Sequence, residues 1–318
     1  MCVDASHTRS ESSQIAAVLQ RCKGAYSEST LRGYAADLRS FQQWCESSGL
    51  KPLPSAPETV GAFVEAEAEF VAPSTLKRRL AAIRFAHRYA DQPNPTCASD
   101  VQLAIRRATR RKPRRPNQAL GLTFDVLQDI IAACPPDLAG GRDAALISVG
   151  YDTLCRPSEL SAMRIEHLRR PRLGNWSVLV PRAKSDSAGD GRIAWLSSRT
   201  SSLLEQWLKR AGITDGPVFR SLHLARLADC GLDTCSIRRL VKRAAARAKI
   251  SNPINGRLSG HSMRVGAAQD MLVAGFDTAA IMQAGGWKTP HVLLRYVENA
   301  STLAVHARRW EALEAQTQ

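Results

Sequence analysis

The chain has 318 residues, enough for two domains of ordinary size, and 44% of them are apolar. Lys and Arg outnumber Asp and Glu by 44 to 29, and the resulting net charge of +15 favours a polyanionic partner such as nucleic acid over a merely solvated basic surface. No segment approaches the roughly 20 apolar residues that span a bilayer, and the polar N-terminus lacks the apolar centre of a signal peptide, so we expect a cytoplasmic protein.

The first third of the chain predicts a helical domain over residues 14–112, preceded by a disordered arm at 1–13. A helix from Ser27 to about Ser47 is predicted because apolar residues recur on one face at helical spacing, namely Leu31, Tyr34, Leu38, Phe41, Trp44 and Cys45. Further helices are predicted over 57–70, from the Pro-Ser-Thr signal at 73–75 to about 90, and over 99–112. The Pro-rich basic segment KPRRPNQ then indicates a linker, which we assign to 113–122.

The second domain is predicted over 123–318, with Thr123 as the N-cap of its first helix. It contains one strand-rich interval at 175–197, where two apolar runs flank a Gly/Ser/Asp turn and predict a β-hairpin or a small sheet. Helices dominate again from about residue 199 to the end. The predicted fold class is therefore mainly α with a small antiparallel sheet (α+β).

Three segments of this domain place reactive side chains at defined positions. In YDTLCRPSELSAM, Arg156 precedes a proline that is tolerated in the first turn of a helix. In LSGHSMRVGAAQDML, His261 and Arg264 are three residues apart and share a helix face. In IMQAGGWKTPHVLLRYVEN, Trp287 follows two glycines and Tyr296 lies on a short helix. Each segment alone is more typical of an exposed surface or a hydrophobic core than of a functional site. The order and spacing of the three segments together are not expected to arise by chance.

These three segments, in this order, resemble the tyrosine recombinases, also called phage integrases. The resemblance is strong over about 123–312 and weaker over 26–112. It implies a helical core-binding domain and a catalytic domain that together form a clamp around DNA. It also implies a nucleoid-associated, site-specific recombinase of bacterial, plasmid or phage origin. Such an enzyme performs conservative strand exchange through a 3′-phosphotyrosyl intermediate and a four-way junction.

The resemblance assigns a role to each residue that matches the family pattern. It implies that Tyr296 is the nucleophile and that Arg156 and Arg264 bind the phosphate. Three further catalytic side chains are implied, namely Lys184, His261 and Trp287. Glu159 matches an acidic position beside the first arginine. The chain departs from the pattern at Cys155, where an apolar residue is usual, and a thiol is small enough to fit there.

The residue types suit this chemistry. A tyrosine hydroxyl has a pKa of about 10, so it needs an electropositive pocket or a base to attack phosphate at neutral pH. Two arginines can hold the non-bridging oxygens, and a lysine can protonate the leaving 5′-oxygen. The phosphotyrosyl bond conserves the energy of the broken bond, so no ATP is needed. The sequence has neither a GxxxxGK[ST] loop nor clustered carboxylates, and its eight cysteines form no CxxC pair, so we expect no cofactor and no metal.

Basic residues on two predicted helices are candidates for DNA contacts. The resemblance implies that the helix at 73–90 enters a major groove, and the helix at 234–249 is a candidate second reading helix. The candidate residues are Arg32, Lys77, Arg78, Arg79, Arg84, Arg238, Arg239 and Lys242, with Arg114 and Arg115 of the linker following phosphates. A solvated basic face remains the alternative for any one of them.

The C-terminal segment 301–313 carries an apolar stripe of Leu303, Ala307, Trp310 and Leu313. It can dock on its own domain, but the resemblance implies that it links protomers in a homotetramer on two DNA sites with inverted-repeat half-sites. Three rival functions remain: a type IB topoisomerase, an integrase with an additional arm-binding domain, and a DNA-binding protein with an inactive site. The short segment before the first strong helix argues against the second, and the filled catalytic positions argue against the third.

Overall fold

The computed structural model describes residues 14–111, 119–170, 174–180, 191–223, 226–250, 258–298, 300 and 302–315. The chain divides into two compact units, residues 1–116 and 117–318. The predicted arm at 1–13 and the segment KPRRPNQ lie outside the described residues, and so do Lys184, Arg114 and Arg115.

The first unit is helical in its described part. A short helix α1 covers residues 14–21, and four longer helices follow it: α2 (Glu28–Ser47), α3 (Pro57–Glu67), α4 (Pro73–Tyr89) and α5 (Ser99–Arg111). Helix α2 begins where predicted, because the Ser27 hydroxyl accepts the backbone N–H of Thr30 at 3.2 Å. The predicted apolar face of α2 is confirmed: Leu38 and Phe41 are buried, and the Phe41 ring lies 5.0 Å from that of Phe63 on α3.

The second unit combines helices with small sheets. Its helices are α6 (Phe124–Ala132), α7 (Leu138–Asp152), α8 (Pro157–Ser161), α9 (Ser198–Ala211), α10 (Thr234–Arg247), α11 (Ser262–Val273), α12 (Thr278–Gly285), α13 (Pro290–Val297) and α14 (Thr302–Ala315). The predicted hairpin is confirmed as β2 (Ser177–Val180) paired antiparallel with β3 (Arg192–Trp195), with Val178 opposite Ala194. A two-residue strand β1 (Leu168–Arg169) extends this sheet on the other side of β2.

A second sheet lies where only helices were expected, so the prediction of a single strand-rich interval was wrong. Strands β4 (Arg220–His223) and β5 (Arg226–Gly231) pair antiparallel. Their residues are mostly half-buried or exposed, so they lack the alternation of apolar and polar side chains that reveals a strand. The base of the ribbon is joined to the core, since the N–H of Val218 donates to the carbonyl of Met163 at 3.0 Å. Helices still predominate among the described residues, which confirms the predicted fold class.

The start of α6 also differs in detail from expectation. Thr123 occupies the N-cap position, but its side chain makes no capping bond; the N–H of Phe124 donates instead to the Asp270 carboxylate at 2.7 Å. Leu122, which we had placed in the linker, is fully buried, and its N–H donates to the carbonyl of Ser262 at 2.8 Å. The chain therefore joins the second unit before α6, directly beside the start of α11.

The core of the second unit lies between α7, α9, α10 and the β1–β3 sheet. Trp207 of α9 is its largest buried side chain, and the indole N–H donates to the carbonyl of Val218 at 2.8 Å. This core fixes the last turn of α7, from which the chain turns into α8. In the described part of the chain, no helix is both long and apolar enough to cross a membrane.

Candidate active site

Arg156 stands at the start of α8, as its position before a proline predicts. The backbone N–H of Arg156 donates to the Glu159 carboxylate at 2.9 Å, and its guanidinium Nη1 donates to the same carboxylate at 2.6 Å. Glu159 is almost fully buried, and because a buried carboxylate is costly without partners, these two bonds stabilise its charge. One carboxylate therefore caps α8 and orients the Arg156 side chain.

Arg264 lies on α11 and is completely buried. Its Nη1 donates to the carbonyl of Leu154 at 2.5 Å, and Leu154 presents that carbonyl from a left-handed backbone conformation with φ of 51°. The Arg264 Nε and Nη2 atoms have no hydrogen-bond partner among the described residues. Burial, together with the positive charge of Arg156, lowers the pKa of Arg264 to about 10, which still leaves it protonated at neutral pH.

His261 directly precedes the first residue of α11. Partial burial of the ring and the positive charges of Arg264, Arg156 and Arg238 lower the pKa of His261 below its usual value of 6.5. The imidazole is therefore neutral at pH 7 and has a nitrogen that can accept a proton.

Trp287 follows α12 and is buried against Arg264. The guanidinium carbon of Arg264 lies 3.9 Å from the centre of the Trp287 ring, and the indole N–H has no acceptor among the described residues. The two preceding glycines permit this packing. A Cβ on Gly285 would lie 2.0 Å from the indole, and Gly286 has a φ of +66°, which L side chains rarely adopt.

Tyr296 lies on α13 and is half-buried beside Trp287. The two rings make an edge contact with 5.4 Å between centroids, and the Arg264 guanidinium carbon is 5.8 Å from the Tyr296 ring. The side chain of Gln269 on α11 donates to the Tyr296 backbone carbonyl at 3.2 Å, which ties α13 to α11.

The structure thus gathers Arg156, His261, Arg264, Trp287 and Tyr296 in one region of the second unit. The Cys155 thiol is fully buried, and burial raises its pKa to about 11, so it stays protonated and uncharged. Among the described residues there is no group of three or more His, Cys, Asp or Glu side chains that could hold a metal ion.

Arg192 is a residue of this region that the sequence did not reveal. It opens β3, and its guanidinium donates to the carbonyl of Thr153 at 2.6 Å and to that of Ala284 at 2.9 Å. It also lies 3.8 Å from the Glu159 carboxylate, and its Cδ would lie 3.2 Å from a Cβ on Gly286. One side chain therefore joins the end of α7, the carboxylate that holds Arg156, and the turn that precedes Trp287. The available signal was its place on the inward face of the strand, which it shares with Ala194.

The basic candidates of the first unit are not equivalent. Arg32, Lys77 and Arg84 are exposed, as a docking surface requires. Arg79 differs from expectation: it is largely buried, forms an ion pair with Glu67 of α3, and its guanidinium carbon lies 5.8 Å from the centre of the Phe63 ring. It is therefore a packing residue rather than a member of the exposed face.

Arg78 is exposed but paired. Its guanidinium makes two hydrogen bonds to the buried carboxylate of Asp37, at 2.7 and 2.8 Å. In the second unit, Arg238, Arg239 and Lys242 are all exposed on α10. Arg238 adjoins the turn before His261, since its Cγ would lie 3.0 Å from a Cβ on Gly260. The exposed face of α10 is thus continuous with the active-site region.

Comparison with known proteins places this chain in one family. Residues 121–302 match the phage integrase family, and residues 19–92 match the N-terminal SAM-like domain of phage integrases. The chain belongs to the phage integrase family and is a tyrosine recombinase, a class of enzyme that breaks and rejoins DNA. It is 27% identical over 299 residues to recombinase cre of Escherichia phage P1, which covers 88% of this chain and 86% of that protein. It is 28% identical over 295 residues to an integrase/recombinase xerD homolog of Selenomonas ruminantium, and the match covers 89% of this chain and 85% of that protein.

Solved structures show the same fold at lower identity. The XerH site-specific recombinase bound to palindromic difH substrate matches with a TM-score of 0.66 and 17% identity, over 94% of this chain and 85% of that chain. A lambda integrase dimer bound to a COC′ core site matches with a TM-score of 0.64 and 14% identity, over 91% of this chain and 96% of that chain.

Proposed function

We propose that the chain is a site-specific DNA recombinase in which Tyr296 breaks a DNA strand and holds its 3′ end as a phosphotyrosyl ester. The observation that supports this most strongly is the state of Arg264. Its buried guanidinium lies beside the Tyr296 ring with Nε and Nη2 unpaired among the described residues. Buried donors without acceptors are costly, so this pocket favours an anion. A DNA phosphate supplies such oxygens, and the unpaired indole N–H of Trp287 is a further donor for them.

In the first step, the Tyr296 oxygen attacks the phosphorus atom and displaces the 5′-oxygen of the next nucleotide. The tyrosine proton must leave as the bond forms. His261 suits this task because its lowered pKa keeps it neutral, with a free ring nitrogen, at pH 7. The alternative role of His261 is a hydrogen bond to the phosphate. Arg264, whose positive charge is close to the Tyr296 ring, stabilises the oxygen as it loses its proton.

The two arginines act on the phosphate itself. Arg156 and Arg264 hold the non-bridging oxygens, on which negative charge increases in the transition state. Each guanidinium is held by its own hydrogen-bond acceptor: Arg156 by the Glu159 carboxylate and Arg264 by the backbone carbonyl of Leu154. Such fixed donors need little rearrangement when the charge develops.

The leaving 5′-oxygen needs a proton, and we assign this role to Lys184. The phosphotyrosyl ester retains the energy of the broken phosphodiester, so the 5′-hydroxyl of a partner strand attacks it and restores a phosphodiester without ATP or a metal. Two successive exchanges pass through a four-way junction.

Strand exchange between two sites requires several protomers, and we propose a homotetramer on two DNA duplexes with inverted-repeat half-sites. Helix α14 is the proposed link, because Trp310 is exposed and Arg309 covers one side of its ring. A cavity of about 390 Å³ in the second unit is the proposed receptor. Apolar residues line much of it, including the exposed Trp195 and Phe276, and such a lining suits an exposed aromatic side chain such as Trp310.

DNA contacts are proposed for the exposed basic residues of α4 and α10, together with Arg32 of α2. The linker residues Arg114 and Arg115 are proposed to follow phosphates. Because the protein binds a polyanion with many lysines and arginines, its affinity should fall steeply as salt is added.

The test is covalent trapping followed by strand exchange. DNA that the protein selects from a random pool is nicked near the selected site and incubated with the protein without metal or ATP. We expect a slow-migrating covalent band on a denaturing gel, absent with Tyr296→Phe, and recombinant strands when two sites are present. A band that persists with Tyr296→Phe contradicts the proposal. Cleavage with relaxation of supercoils but no exchange between sites indicates a topoisomerase instead.

A further inference from the structure

Arg78 of α4 and Asp37 of α2 form a fixed pair on the exposed side of the first unit. The Arg78 Nε atom lies 2.7 Å from Oδ2 of Asp37, and its Nη2 atom lies 2.8 Å from Oδ1. The Asp37 side chain is 3% exposed, whereas that of Arg78 is 59% exposed. A buried carboxylate needs its partner, so Asp37 holds the guanidinium in one orientation rather than in a mobile surface contact.

The orientation determines which donors remain free. A guanidinium has five N–H groups, and the pairing uses one on Nε and one on Nη2. The remaining N–H groups lie on Nη1 and on the outer side of Nη2, at the exposed end of the side chain. Two parallel donors at this end match the N7 and O6 acceptors that guanine presents in the major groove.

We infer that Arg78 reads a guanine base in the recombination site and that Asp37 is the residue that positions it. This inference rests on the proposed function, in which basic residues of α4 contact DNA, and on the major-groove position that the family resemblance implies for this helix. Arg78 thus recognises a purine base of one kind, and Asp37 fixes the direction in which its hydrogen-bond donors point.

The charges favour a base over a phosphate as the partner of Arg78. The Asp37 carboxylate offsets the charge of Arg78, which weakens attraction to phosphate but leaves the outer hydrogen-bond donors in place. Lys77 and Arg84 on the same helix are also exposed, and neither forms an ion pair with a described residue. Their uncompensated charges suit phosphate contacts, which carry no sequence information.

The experiment measures base preference with the full-length protein carrying Tyr296→Phe, so that binding is read without cleavage. DNA is selected from a random pool, and the affinity for each single-base variant of the selected site is then measured. Arg78→Lys and Asp37→Asn should each lose the preference for one G·C pair per half-site, on the order of ten-fold, and leave other positions unchanged. Arg78→Gln should shift that position towards adenine, whose N6 and N7 atoms a glutamine side chain can bind.

Lys77→Ala is the matched control and should weaken binding to all sequences about equally, with a shallower salt dependence. If Arg78→Lys and Arg78→Gln give that same uniform loss, Arg78 contacts phosphate and the inference is wrong. The Arg78 variants decide the question even if Asp37→Asn lowers stability. A parent protein that selects no sequence contradicts the proposed function itself, whereas a selected site whose base preferences survive all three substitutions contradicts this inference alone.

Discussion

The guanidinium carbon of Arg264 lies 3.9 Å from the centre of the Trp287 ring, close enough for a cation–π contact between two buried side chains. The contact holds the plane of the guanidinium while two of its nitrogens remain unpaired among the described residues. Together with the carbonyl of Leu154, the indole thus positions Arg264 without using the donors proposed for the phosphate.

Arg264→Lys should reduce the cleavage rate by at least a hundred-fold, although the charge is kept. An ammonium cannot bond the Leu154 carbonyl and two phosphate oxygens in the same planar arrangement, nor stack on the indole. Single-turnover cleavage of a nicked site measures the rate, and binding of uncleaved DNA serves as the control. Equal rates for the variant and the parent would contradict the assigned role.

Trp287→Phe should slow cleavage on the order of ten-fold to a hundred-fold, because it keeps an aromatic ring beside Arg264 but removes the unpaired N–H. Trp287→His should restore part of the rate, since an imidazole N–H can donate to the same oxygen. The two variants compared in single-turnover cleavage separate donation from packing. If both variants are equally impaired, the indole acts through packing alone.

Arg192→Lys should lower the rate of cleavage with little change in DNA affinity. A lysine can make one contact but cannot join the carbonyls of Thr153 and Ala284 and the Glu159 carboxylate at once. Because Glu159 orients Arg156, the variant should also make the rate less sensitive to Arg156→Lys. A double-mutant cycle on the cleavage rate tests this coupling, and simple additivity of the two effects would show that Arg192 does not act through Glu159.

The cleavage rate should depend on pH through His261. Partial burial, and then the positive charges of the neighbouring arginines, lower the pKa of His261 below 6.5. The proton-accepting form therefore predominates at neutral pH and is lost only as the pH falls through the lowered pKa. The rate should stay level from pH 8 down past 6.5 and then decline, and His261→Gln should be slow at every pH without that step. An unchanged decline in the variant would assign it to another group.

Helix positions were predictable because they depend on local signals, whereas the grouping of the site residues was expected from the resemblance to tyrosine recombinases. Ser27 and the prolines mark helix starts, and the spacing of His261 and Arg264 follows from helical periodicity. Arg192 and Asp37 were not predictable in this way. Each acts through partners that are distant in the chain, Thr153 and Ala284 in one case and Arg78 in the other. The alternation of β3 places Arg192 on the inward face of the strand, but it does not identify these partners.

Two further differences have the same physical origin. Arg79 looked like a member of the basic face of α4, but the carboxylate of Glu67 and the ring of Phe63 draw it into the helix interface. The β4–β5 ribbon has half-exposed strands, whose stability comes from pairing with each other and not from a buried apolar face. In both cases tertiary contacts outweigh the local pattern of the sequence.

The most direct test of the central proposal is to identify the amino acid that carries the DNA. The covalent complex formed on a nicked site is digested with protease and nuclease, and mass spectrometry locates the residual nucleotide. We expect it on the peptide that contains Tyr296, joined through a 3′-phosphate. Tyr151, whose hydroxyl donates to the Asp270 carboxylate at 2.5 Å and whose pKa is raised by burial, should remain unmodified. A nucleotide on any residue other than Tyr296 would contradict the account.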